Sequence, residues 1–226
     1  MPTDKSHDFR EQNELASEEI GSSFINPRES NILSPEAKTY FVQGYQFAQS
    51  PMTVDRAEEC FKKVIELHPK YTLAYFELGR MFYEWSHFQR AVEPLKQAIA
   101  LNPSDFTAYM ILGRNCGMGG MYEEAEKALR KAIELEPTSA SAHFELGRLL
   151  LLASFYKTKR FPESLGHFQK ALEYQPNHKA AAKKIGEILV LHLYNYGEAL
   201  LFADEIEQNF PDTAKHIRFL VELNYR

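Results

Sequence analysis

Most of the residue patterns that catalysis, export or metal binding would need are missing from this sequence. Two cysteines, Cys60 and Cys116, cannot build a disulfide framework and form no Cys-x-x-Cys pair, which suits a reducing cytoplasm. Both are expected as small buried apolar side chains. The eight histidines include no His-Glu-x-x-His and no metal-ligand spacing, and no Gly-x-Ser-x-Gly occurs. These absences argue against an enzyme, and no cofactor or metal is expected. The longest apolar run, "LLLLASF" at 149–155, is far shorter than the roughly 18 residues of a membrane span. The start, "MPTDKSHDFREQ", has no apolar stretch, so no secretory signal is expected either.

A basic footprint is missing as well. The formal net charge is −5 over 226 residues, and the imbalance sits at one end. Residues 1–36 hold eight of the 31 acids and only Lys5, Arg10 and Arg28 among the 26 bases, so residues 37–226 are neutral. A neutral body with an acidic tail does not fit nucleic acid. The tail is rich in Glu, Ser and Asn and shows no sustained period, the composition of a disordered segment with at most a short helix around 8–20.

What the chain does have is a period. "YFELGR" at 75–80 returns as "YMILGR" at 109–114 and "HFELGR" at 143–148, always 34 residues on. Pro69, Pro103 and Pro137 keep the same spacing, in "HPKY", "NPSD" and "EPTS", and "QPNH" at 175–178 and "FPDT" at 210–213 continue the series. Proline cannot continue a helix, and the Ser, Thr or Asp behind it can cap the next one, so each is read as a helix end. Paired helices at this period mark a stacked repeat architecture, because one pair cannot bury its apolar stripe alone.

The pattern resembles the tetratricopeptide repeat. Repeat two (72–105) carries it at Tyr75, Leu78, Gly79, Phe82, Ala91, Leu95, Ala98 and Pro103. Repeat three (106–139) matches at Tyr109, Leu112, Gly113, Cys116, Ala125, Leu129, Ala132 and Pro137. Repeat four (140–178) has His143, Leu146, Gly147, Leu150, Ser164, Phe168, Ala171 and Pro176, with five extra residues between its helices; His143 occupies a packing position. Repeats one (37–71) and five (179–212) are looser, and residues 213–226 form a capping helix with Ala214, Ile217 and Leu220 on one face. The resemblance implies an all-α fold, a right-handed α-solenoid of antiparallel helix pairs, and a concave groove lined by the first helix of each pair.

By that resemblance, positions 5 and 9 of each repeat face the groove. They read Phe41 and Tyr45, Phe76 and Arg80, Met110 and Arg114, Phe144 and Arg148, then Lys183 and Glu187. An apolar row beside an arginine row suits a partner segment with apolar anchors and carboxylates, because guanidinium binds carboxylates in bidentate fashion. Glu77 and Glu145 lie three residues before Arg80 and Arg148, so those arginines can equally brace their own helices. Arg114 has Ile111 at that place and is the best candidate for a ligand contact. The family's carboxylate clamp for chaperone tails is absent, since its positions read Phe76, Arg80, Ile111, Ser141 and Glu145.

Two segments stand outside the repeat pattern. The insertion "ASFYKTKRFPES" at 153–164 displays Lys157, Lys159 and Arg160 and is a secondary rim contact. "SEEIGSSFINP" at 17–27 mixes acids with Ile20, Phe24 and Ile25, so the tail can occupy its own groove or that of a neighbouring copy. The expected function is therefore a cytoplasmic, non-catalytic adaptor with protein partners. The alternatives are a dedicated chaperone for a secretion or assembly client, or a structural subunit of a large complex.

Overall fold

The computed structural model describes residues 33–154 and 160–224. Among them every regular element is helical apart from a short 3-10 turn at Pro51–Thr53. The helices are α1 (Pro35–Phe47), α2 (Val54–Leu67), α3 (Thr72–Glu84), α4 (Phe88–Leu101), α5 (Phe106–Met118) and α6 (Tyr122–Leu135). They continue with α7 (Ala140–Ser154), α8 (Phe161–Tyr174), α9 (Lys179–Leu191), α10 (Tyr196–Ile206) and α11 (Pro211–Asn224). The chain divides into two compact units, one ending at Ala108 and one beginning at Tyr109, with the division in the first turn of α5.

The helix starts follow the punctuation in the sequence. Ser34 accepts from the Ala37 amide, with Pro35 in the first turn of α1. Asp105 Oδ1 accepts from the Ala108 amide, and Ser139 Oγ from that of Ala142, each after an Asn-Pro or Glu-Pro stop. His178 does the same work for α9 through Nδ1, 3.2 Å from the Ala181 amide. "FPDT" behaves differently from its expected role as a helix end. Pro211 is the first residue of α11, because a proline costs nothing where the helix has no acceptor for its N–H.

Within each unit, glycine sets how closely paired helices approach. A Cβ on Gly79 would lie 2.5 Å from Leu95 Cγ in the N-terminal unit, and one on Gly113 would lie 2.6 Å from Leu129 Cγ in the C-terminal unit. Leu95 and Leu129 are fully buried as a result, with Ala91 and Ala125 flanking them at zero exposure. In repeat four Phe168 fills the same cradle against Gly147. Repeat five departs from this: Gly186 on α9 is covered by Ile217 of α11. The residue of α10 that corresponds to Leu95, Leu129 and Phe168 is Ala203, too small to fill the space.

The turn between the paired helices needs one left-handed residue. Gly120 supplies it in repeat three (φ 77°), and Ser86, 34 residues earlier, adopts the same conformation in repeat two (φ 62°). The glycine-rich stretch 117–120 is thus a turn device in which only Gly120 uses its freedom. Cys60 and Cys116 are buried, unbonded thiols. No helix among the described residues is long and apolar enough to cross a membrane.

Candidate partner-binding face

In the N-terminal unit the expected groove residues separate by burial. Phe41 is 2 % exposed and packs edge-on against Phe61 and Tyr71, with ring centroids 5.8 and 5.7 Å away. It belongs to the core of the first helix pair. Tyr45 and Phe76 are half-buried. Arg80 binds Glu77 through Nε at 2.8 Å and Nη2 at 2.6 Å, and reaches Glu84 through Nη1. Its guanidinium also lies 5.9 Å from the centre of the Tyr45 ring. Burial pushes the Glu77 carboxyl above its ordinary pKa, and Arg80 offsets only part of that cost. Arg80 is a brace within α3.

The C-terminal unit places the other arginines around one carboxylate. Arg148 binds Glu145 through Nε and Nη2, both at 2.8 Å. Arg114, from the preceding repeat, reaches the other oxygen of Glu145 through Nε at 3.2 Å. Arg114 is thus paired with a carboxylate on α7, one repeat along. The Glu145 side chain is 12 % exposed, whereas Arg114 is 44 % and Arg148 36 % exposed. Two guanidinium groups thus share one buried carboxylate and keep outward surface. Arg148 Nη1 points at the Met118 thioether, 4.0 Å away, and Met118 is itself more than half exposed.

The remaining expected residues spread along the same unit. Met110 is buried. Phe144 is half-buried, its ring against Phe168 and His178 at 5.4 and 4.7 Å. Lys183 is exposed, 3.8 Å from Glu187. Glu187 also takes Lys184 at 2.7 Å, so the Glu–Arg pair of α7 returns in α9 with its charges exchanged.

Of the insertion residues, Lys157 and Lys159 lie outside the described residues, as does the acidic tail to residue 32. Arg160 grips Glu126 with Nη1 at 2.7 Å and Nη2 at 2.9 Å, and Glu163 with Nε at 2.8 Å. Arg130 closes the ring, binding Glu126 at 2.9 Å and Glu163 at 2.6 Å. The hydrogen bonds from Arg160 hold the Glu126 carboxyl down at about 2, against some desolvation. Arg160 is thereby committed to joining α6 to α8.

Sequence reading did not foresee the partner of His143. Its Nδ1 lies 3.0 Å from Nδ1 of His167, and its Nε2 lies 3.0 Å from the Pro137 carbonyl. A carbonyl only accepts, so His143 carries its proton on Nε2, and His167 donates from Nδ1. Burial, then the neighbouring His143, drops the His167 pKa to about 4; burial also lowers that of His143. No group of three or more His, Cys, Asp or Glu side chains suited to a metal occurs among the described residues.

Stacked helix pairs held by glycine cradles, with polar side chains along the first helices, define a helical-repeat protein. The sequence profile of the tetratricopeptide repeat matches residues 119–157 and 153–214. Residues 119–214 thus match the tetratricopeptide-repeat family. A crystal structure of MamA superposes with a TM-score of 0.70 at 22 % identity, over 81 % of this chain and 96 % of that one. YrrB, described as a TPR protein with an unusual peptide-binding site, gives 0.64 at 21 % identity over 80 % and 91 %. The pilF protein of Pseudomonas aeruginosa gives 0.60 at 21 % over 77 % and 76 %. At such identities the likeness defines the fold. No curated protein matches the chain in sequence.

Proposed function

We propose that the protein is a non-catalytic adaptor, with a protein partner held on the first-helix face of its C-terminal unit. The partner segment carries at least one carboxylate and an apolar anchor. The observation that carries this reading is the shared carboxylate: Arg114 and Arg148 together bring two positive charges to the single negative charge of Glu145. Both guanidinium groups stay more than a third exposed, Arg148 next to the Met118 thioether, where a ligand carboxylate gains bidentate bonds and an apolar side chain gains contact. Lys183 extends the face toward the C-terminal end of the same unit. The two free thiols suit a reducing compartment, consistent with a cytoplasmic role. Residues 17–27 offer the same mixture of acids and apolar side chains, which makes the tail a competitor for this face.

The test is selection of 15-residue peptides from a random display library. It uses the full chain, residues 33–226, and an Arg114→Gln/Arg148→Gln variant checked for intact helicity. The expected result is an acidic–apolar consensus, bound more tightly without the tail and at least about tenfold more weakly by the variant. A consensus without acids, or equal binding by the variant, refutes the reading.

A further inference from the structure

We infer that the C-terminal unit carries a second docking site, a cleft between α8 and α10 that accepts an apolar side chain flanked by lysine or arginine. The cleft lies between the second helices of repeats four and five, and none of its lining residues belongs to the Arg114–Arg148 face. Leu172 and Pro176 form one wall and Phe202 and Ile206 the other, with Ile185 of α9 as the floor. Its volume is about 460 Å³, within the usual range for sites that hold a ligand in an apolar pocket.

The cleft follows from the irregularity of repeat five. In repeats two to four a large residue at one register position, Leu95, Leu129 or Phe168, drops into the cradle of the paired glycine. Four positions earlier and three positions later along the inner stripe, the chain is small: Ala91 and Ala98, Ala125 and Ala132, Ser164 and Ala171. Repeat five inverts this order of sizes. Ala203 occupies the cradle position, Ile217 from α11 covers Gly186, and the bulk of α10 moves to Phe202 and Ile206. Ile206 is buried in the core of this unit and Phe202 packs against that core, yet both also line the cleft, and Phe202 stays partly exposed.

The rim selects the occupant. Glu173 on α8 and Glu205 on α10 stand on opposite walls, both exposed. Other acids on these second helices are spoken for: Glu163 lies in the Arg130–Arg160 ring, and Asp204 and Glu207 hold Arg218. Neither Glu173 nor Glu205 has an ion-pair partner among the described residues. A cleft of mainly apolar side chains, with Gln169 and Asn209 also at its edge, between two carboxylates without an ion-pair partner complements a cationic–apolar–cationic segment and repels an acidic one.

The site is tested with fluorescein-labelled, end-blocked pentapeptides Lys-Lys-X-Lys-Lys, where X is Leu, Ile, Met, Phe or Ala, by polarisation on the full chain. Glu-Glu-Leu-Glu-Glu is the charge-reversed control. The expected result is binding by at least one large apolar X, tighter than X = Ala, with no binding of the acidic peptide. Glu173→Gln/Glu205→Gln, which leaves the packing untouched, should weaken binding by about fivefold or more. Arg114→Gln/Arg148→Gln should leave it unchanged, which separates failure of this site from failure of the proposed function. No binding by any X, affinity indifferent to X, or indifference to the double glutamine variant each overturns the inference.

Discussion

Glu145→Gln is the substitution that separates bracing from ligand binding in the arginine row. Glutamine keeps the length of the side chain and one acceptor oxygen but removes the charge that Arg114 and Arg148 share. Both arginines are more than a third exposed, so solvent screening limits each ion pair to about 0.5–1 kcal/mol. The two pairs together place the loss at about 1–2 kcal/mol, or a melting temperature lower by about 3–6 °C for a chain of this size. The same change removes the carboxylate that both guanidinium groups hold in common. Affinity for the acidic peptides of the display selection should therefore rise, by about threefold to tenfold at low salt. The assays are circular-dichroism melting and polarisation, with a double-mutant cycle between Glu145→Gln and Arg148→Ala. A coupling below about 0.2 kcal/mol would refute the brace. A lower affinity for acidic peptides would refute the claim that Glu145 competes with the ligand.

Two further predictions concern packing and pH in the same unit. Gly113→Ala drives a methyl into Leu129 at 2.6 Å and should cost about 1–3 kcal/mol in urea unfolding, whereas Gly166→Ala meets nothing within 4 Å. The second variant should gain about 0.5–1 kcal/mol from helix propensity, and equal effects at the two sites would contradict the cradle. The His143–His167 pair has lowered pKa values in the folded chain, so its contribution is complete above the ordinary histidine value near 6.5 and is lost as pH falls toward about 4. Arg130 and Lys170 add to that penalty and Glu163 relieves part of it. Melting temperature should fall between pH 6.5 and 4.5, with the slope reduced in His167→Gln; an unchanged slope would show that the pair does not titrate in this range.

Most of the helices could be read directly from the chain, because proline, glycine and the apolar stripe repeat with one period and each has a local physical cause. Pro211 was misleading because proline suits both the residue after a helix and the first turn of one, and nothing nearby distinguishes the two. Phe41 and Met110 share register positions with Phe76 and Phe144 yet are buried, since exposure at a given register depends on the neighbouring helices as well as on the period. Arg114 illustrates a different limit. The local rule for helix pairs reaches three or four residues, and Glu145 lies 31 away in sequence. His143 and His167 meet through the same kind of contact, between helices on either side of the insertion.

The electrostatics of the C-terminal unit bear on what kind of adaptor it is. On the first helices, Glu145 and Arg148 are three residues apart with the arginine outward, and Lys184 and Glu187 repeat that spacing in reverse. The reversal keeps each helix internally paired, with Lys183 and Lys184 both paired to Glu187. On the second helices the inferred cleft has the opposite preference, because Glu173 and Glu205 face each other across apolar walls. If both proposed sites hold, an acidic peptide should gain at the first face and be repelled at the second, and a basic peptide should behave the other way round. Two non-overlapping sites of opposite charge preference would let the proposed adaptor hold two different partners without either competing for the other's site.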